Sequence, residues 1–168
     1  MLFRNTSAVE KLPAALATNQ GWGFGPFLLI GEYIMADAVT SQTLLDGERL
    51  AIMKFTNISD GTGESAVTKV NVANLAPSAS GKACTGVTVN KITSVCHGME
   101  VRMLWDATTD VPFFLGTVNT NYENDFSNFG GITNNAGAGK NGNIVFTTAD
   151  ASSGDTYTVV LEMVKSYA

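Results

Sequence analysis

Charge is scarce in this chain: Asp, Glu, Lys and Arg make up 15% of its 168 residues, where a soluble domain averages about 25%. A surface so neutral takes its polarity from Asn, Ser, Thr and Gly. The 10 cations are outnumbered by 15 acids, for a net charge of −5, and they do not cluster. Phosphate neutralisation needs clustered Lys and Arg, so the balance argues against a nucleic-acid partner. One histidine and two cysteines leave little material for acid–base chemistry or metal ligation. Long apolar runs are missing too. The nearest, Pro26-Phe27-Leu28-Leu29-Ile30, is followed by Gly31 and Glu32, far short of the roughly 20 residues a membrane helix needs. A secretory signal is disfavoured because Glu10 and Lys11 interrupt early, and Pro13, Gly21, Gly23 and Gly25 break the stretch after them.

What is present is a 45% hydrophobic chain long enough to bury a core without disulfide or metal staples. Composition divides it at residue 34. Residues 1–34 carry Gly21-Trp22-Gly23-Phe24-Gly25 and no period-2 alternation, and Met35 opens a polar stretch. Gly31-Glu32 is encoded by GGN-GAR, which read as GGAGAA is a purine-rich ribosome-binding element just before a start at Met35. The expectation is a translated leader over 1–34 and a natural start at Met35. The competing reading is a genuine N-terminal arm whose Trp22, Phe24, Phe27 and Leu28 insert into a neighbouring subunit. Residues 35–168 then form one domain.

From Met35 onward the pattern is that of strands. Ala51, Met53 and Phe55 make one apolar row, and β-branched residues fill 67–72; with the turn-forming Ser59-Asp60-Gly61-Thr62-Gly63-Glu64 between them, the two segments read as a hairpin. Residues 85–95 restore β-branched density. Met99, Val101, Met103 and Trp105 alternate with Glu100 and Arg102, and near the C-terminus Tyr157, Val159, Leu161 and Met163 alternate with Thr158 and Glu162. Residues 111–115 form a short strand that Pro112 assigns to an edge or a strand start, and 144–148 another. Residues 119–143 read as a long Asn/Gly loop, of a length usually functional or partner-ordered, pinned by Tyr122, Phe126 and Phe129. Seven to eight strands and no helix indicate an all-β antiparallel β-sandwich, jelly-roll-like, with an N-terminal extension; immunoglobulin-like connectivity stays open, because periodicity does not report it.

Chemical motifs fail one by one. Cys84 and Cys96 flank an extended segment, too far apart to bond, and read as buried thiols; with His97 they lack zinc spacing. Adjacent strand residues point to opposite faces, so His97 does not serve Cys96, and His97 reads as a turn residue. Asp106 with Asp110, and Glu123 with Asp125, sit in turn-like sequence and read as backbone caps rather than a glycosidase pair. Gly137-Ala138-Gly139-Lys140-Asn141 fails as a phosphate loop, having Asn134 and Asn141 where Gly and Ser/Thr are required. Residues 60–64 read as a turn rather than a calcium loop. No cofactor, metal or catalytic residue is expected.

Four segments carry a resemblance: GGITNNAGAGKNGNIVFTT from Gly130, SGDTYTVVLEMVKSY from Ser153, SQTLLDGERL from Ser41 and MEVRMLWD from Met99. Together they resemble small virion structural proteins of tailed bacteriophages, over Met35 to the C-terminus. The resemblance is one of texture and carries over no site residue. It implies a capsid decoration, or cement, protein that binds outside the assembled head and bridges major capsid subunits. The implied location is the virion exterior after assembly in a bacterial cytoplasm, and the implied state a homo-oligomer, dimer or trimer. On that reading the contacts come from the long loop (Tyr122, Phe126, Phe129, Asn134, Asn135, Lys140) and the N-terminal stretch (Trp22, Phe24, Phe27). Alternatives are a tail or fibre module and a carbohydrate-binding sandwich stacking sugars on Trp22, Trp105 or Tyr122; an enzyme ranks below both.

Overall fold

A computed structural model describes residues 37–168. The division at residue 34, with Trp22, Phe24 and Phe27, lies outside the described residues. Nine strands form: β1 (Thr40–Asp46), β2 (Leu50–Asp60), β3 (Val67–Val70), β4 (Cys84–His97), β5 (Glu100–Trp105), β6 (Val111–Gly116), β7 (Asn121–Asp125), β8 (Ile144–Ala149) and β9 (Ser153–Tyr167). Among the described residues there is no α-helix, only 3-10 turns at Val72–Asn74 and Ser127–Phe129.

All pairings are antiparallel, and they nest. β2 pairs with β9, β3 with β8, β4 with β7 and β5 with β6. The chain from β2 to β9 thus behaves as one long two-stranded ribbon whose tip is the β5–β6 hairpin. Folding that ribbon over brings β4 against β9 and β5 against β8, and two sheets result: β1-β2-β9-β4-β7 and β3-β8-β5-β6.

One core joins the sheets. The two clean alternations end inside it, since Met99 just before β5, Val101, Met103 and Trp105 of β5, and Tyr157, Val159, Leu161 and Met163 of β9 are all buried. Phe146 of β8 meets Phe55 of β2 edge-on at 5.2 Å between ring centroids. At about 25 cal/mol per Å² of apolar surface removed from water, such rows are the main favourable term in the fold. Pro112 lies on β6, an edge strand, where its missing N–H costs no ladder bond.

Three expectations are corrected. Residues 50–55 and 67–72 do not form a hairpin: β2 and β3 belong to different sheets, and the intervening segment crosses between them. The turn at Asp60 satisfies itself, its Oδ1 accepting from the Thr62 N–H at 2.8 Å, while Glu64 beyond it dives into the core. The strand count rises to nine because β1 and β7 are added. Finally, residues 119–143 are not one loop. They contain β7, which pairs with β4 from Lys91↔Asp125 to Val95↔Asn121.

Candidate functional site

The segment after β7 is held by its own chain. A β-bulge in β4 between Val89 and Lys91 turns backbone groups toward it: Val89 and Ile132 exchange hydrogen bonds of 3.0 and 2.8 Å, and the Phe126 N–H donates to the Asn90 carbonyl at 2.6 Å. Bulges re-aim a strand in this way. Further on, Gly142 has φ +86°, and a Cβ there would lie 2.3 Å from the Thr85 carbonyl oxygen; only glycine permits this approach. Ala136 is buried between these anchors. The segment is therefore fixed by backbone contacts and needs no partner to order it.

The contact residues expected within it divide. Tyr122 is half-buried with its ring 4.9 Å from that of Phe114, and Phe126 packs on the core; both hold the sheets together rather than face outward. Asn134 is half-buried, its Oδ1 accepting from the Ala136 N–H at 2.9 Å, a local turn bond of the kind Asn favours. Asn135, Lys140 and Phe129 are exposed. Phe129 is 85% exposed, the most exposed large apolar residue described. It is also rigidly presented: its N–H donates to the Phe126 carbonyl at 2.9 Å, Gly130 and Gly131 close the turn, and Asp125 Oδ1 accepts from the Ser127 N–H at 2.8 Å.

Asn134 and Lys140 meet across a groove of about 370 Å³, walled otherwise by residues 85–88 of β4, Thr133, Asn141, Gly142 and Ser166. Phe129 is not part of that wall. The groove's side chains are hydroxyls, amides, one ammonium and the isopropyl of Val87, with no aromatic platform. Trp105 is fully buried and stacked on Phe113 at 4.4 Å, and Tyr122 is engaged by Phe114, so neither described aromatic named for sugar stacking is free to stack.

The acidic pairs serve structure. Asp110 Oδ1 accepts from the Ala107 N–H at 3.1 Å and Asp125 caps Ser127; the Ser127 hydrogen bonds hold the Asp125 carboxyl below the ordinary range. Asp60 is lowered likewise by Thr62. Two of the expected caps are corrected: Glu123 instead pairs with Lys91 at 2.6 Å, and Asp106 Oδ2 accepts from the Asn141 side-chain amide at 2.6 Å. Cys84 and Cys96 are buried free thiols; burial pushes Cys96 up, with Ser94 and the Val101 backbone opposing. His97 is exposed while Cys96 is buried, on opposite faces of β4. Among the described residues, no three His, Cys, Asp or Glu side chains group as metal ligands, and no helix is long and apolar enough to cross a membrane.

Two buried ion pairs have no counterpart in the sequence reading. Glu64, expected to be part of a surface turn, is buried with Lys69, which donates to Oε1 while the Tyr157 hydroxyl donates to Oε2 at 2.6 Å. Lys165 is buried and donates to Asp46 at 2.6 Å and to the Ala76 carbonyl at 2.8 Å. Burial pulls the Lys165 ammonium down, but Asp46 and Tyr167 outweigh it and hold the group above the ordinary lysine value. A signal for Lys165 exists, since it continues the inward parity of 157, 159, 161 and 163. Nothing in the short strand β3 marks Lys69.

No family model, curated protein or solved structure matches the chain.

Proposed function

We propose that the protein is a capsid decoration protein of a tailed bacteriophage, a jelly-roll sandwich that binds the outside of the assembled head and bridges major capsid subunits. The nested ribbon and the strand orders β1-β2-β9-β4-β7 and β3-β8-β5-β6 support the jelly-roll assignment, since that architecture is a two-stranded ribbon rolled into two sheets. The observation that carries the function is Phe129: a large aromatic, 85% exposed, fixed on a rigid turn beside a segment anchored by its own glycines. A pre-organised aromatic is the residue type that anchors interfaces, and the weakly charged exterior around it leaves few charges to desolvate at a contact. Binding only the assembled shell stabilises it by mass action. On this reading the protein assembles in the bacterial cytoplasm, resides on the virion exterior and carries out no catalysis.

The test is a shell-binding assay with purified heads that lack the protein. Wild type is expected to saturate the heads and raise their thermal rupture temperature, Phe129→Ser to lose most occupancy, and Asn135→Ala and Lys140→Ala to lose less. Wild-type protein that ignores heads but co-purifies with tails moves the assignment to a tail or fibre module. Binding unchanged by all three substitutions removes this surface from the interface.

A further inference from the structure

The two sheets have four edges, and three are guarded. β7 carries Glu123 and Asp125, β6 carries Pro112, and β3 is four residues long; charge, proline and shortness are the usual defences against stray strand pairing. β1 has neither proline nor shortness, and its one bulge, between Thr43 and Leu45, falls beyond the Ser41–Thr43 stretch. Its seven residues, Thr40–Asp46, contain no Lys, Arg or Pro, and six of the seven are exposed. The single charge, Asp46, is turned away to Lys165 at 2.6 Å and to the Ala76 N–H at 2.8 Å. Of the nine exposed large apolar residues among those described, four, Val39, Leu44, Leu45 and Ile58, lie on β1 or against its start. Leu44 and Leu45 are 50% and 43% exposed.

The backbone phase shows which groups are free. Ala38 and Ile58 exchange two hydrogen bonds, of 3.0 and 3.3 Å. Thr40↔Thr56 and Gln42↔Lys54 continue that register, so by antiparallel alternation Thr40 and Gln42 point their N–H and C=O groups at β2. Ser41 and Thr43 point theirs outward, and among the described residues nothing receives them.

We infer that β1 pairs antiparallel with β1 of a second copy about a two-fold axis through Gln42, joining two five-stranded sheets into one of ten strands. In that register Ser41 lies opposite Thr43 of the partner subunit, and the outward groups of both are satisfied, four hydrogen bonds in all. The bulge after Thr43 re-aims Leu44 and Leu45, whose exposed side chains come against the start of the partner's β1, so apolar surface is covered at both ends. Asp46, beyond the bulge, is committed to Lys165 of its own chain. The occupant is a second copy because an isologous pairing makes this neutral edge complementary to itself. The inference goes beyond shell binding and does not depend on it.

The test is sedimentation velocity of the full chain, without heads, over a concentration series. Wild type is expected to run at twice the 17.7 kDa chain mass. Ser41→Pro removes two symmetry-related outward N–H donors and leaves the β1–β2 ladder intact; it is expected to weaken the dimer by about tenfold or more. Leu44→Lys, which touches no ladder bond, is expected to do the same through edge charge, and Leu115→Lys on the β6 edge to change nothing. Hydrogen exchange is expected to protect the Ser41 and Thr43 amides in wild type and to release them in Leu44→Lys. A wild type that stays monomeric overturns the pairing. So does a dimer that survives both β1 substitutions, and so do protected Ser41 and Thr43 amides in a monomer, which would place another part of the same chain on the edge.

Discussion

The two flanks of the molecule are closed by different chemistry. Where β1 and β2 face β3 and β8, the interior admits ions: Glu64, Lys69 and Tyr157 form a buried polar network, and at the other end of β9 Lys165 pairs with Asp46. Where β7 faces β6 the closure is aromatic, Tyr122 against Phe114 at 4.9 Å, and the chain beyond is locked by glycines. Buried ion pairs hold little net energy, since desolvation cancels most of their attraction, but they are costly to break singly. Close backbone contacts are the reverse: cheap where glycine stands and strained with any other residue. The first flank therefore depends on partners being present together, and the second on side chains being absent.

The largest expected effect comes from separating the first flank's partners. Glu64→Leu leaves the Lys69 ammonium buried without a counter-charge and is expected to cost about 3–5 kcal/mol in denaturant unfolding. Adding Lys69→Met is expected to restore much of it; a double variant no more stable than the single one would show that the charges are not coupled. On the second flank, Gly142→Ala forces a left-handed residue and crowds Thr85, for a loss of about 1–3 kcal/mol. It is also expected to deprotect Ile132 and Ala136 amides while leaving β2 and β9 protected.

A pH titration separates the flanks without mutation. Tyr157 is raised well above its ordinary value of 10.0, first by burial and then by Glu64. Above that pH the unfolded chain releases the proton and the folded chain keeps it, so stability is undiminished below 10.0 and falls as pH rises beyond it, by up to about 1.4 kcal/mol per pH unit per proton. Lys165, raised above 10.5, adds a loss of the same sign. Tyr157→Phe is expected to flatten this alkaline slope. The smallest effect belongs to the exposed Lys91–Glu123 pair, where Glu123→Gln is expected to leave the denaturant midpoint unchanged within error; a clear shift would mean that β7 is held by charge after all.

How legible each strand is in the sequence depends on which of its faces are buried. β5 and β9 are legible because each has one inner and one outer face. β4 is only partly so because its bulge shifts the inward row from Val87 and Val89 to Ile92, Ser94 and Cys96, so no single parity describes it. β1 shows no alternation because both its faces are wet. β7 hides in an Asn-rich stretch with only Tyr122 half-buried. The segments that became β2 and β3 resemble a hairpin because adjacent β-branched runs do not reveal which partner each prefers. For the candidate surface, the sequence locates the segment and picks out Phe129, Asn135 and Lys140. It does not separate them from Tyr122, Phe126 and Asn134, because the inward roles of these three depend on contacts with β4, β6 and the turn at Ala136 that only the folded chain brings together.

The nested ribbon also fixes an order of events during synthesis. β9, which leaves the ribosome after every other strand, occupies the middle of the first sheet with β2 and β4 on either side. Until it emerges, those two strands lack their shared neighbour, and β2 has only its β1 hairpin and β4 only β7 to pair with, while the second sheet can form in full. Pairing β2 with β9 closes a loop of roughly a hundred residues, a slow step for non-local sheets. The β1–β2 hairpin, local in sequence, waits for β9 to join it to the rest of the first sheet, so the bare β1 edge is open before that sheet closes.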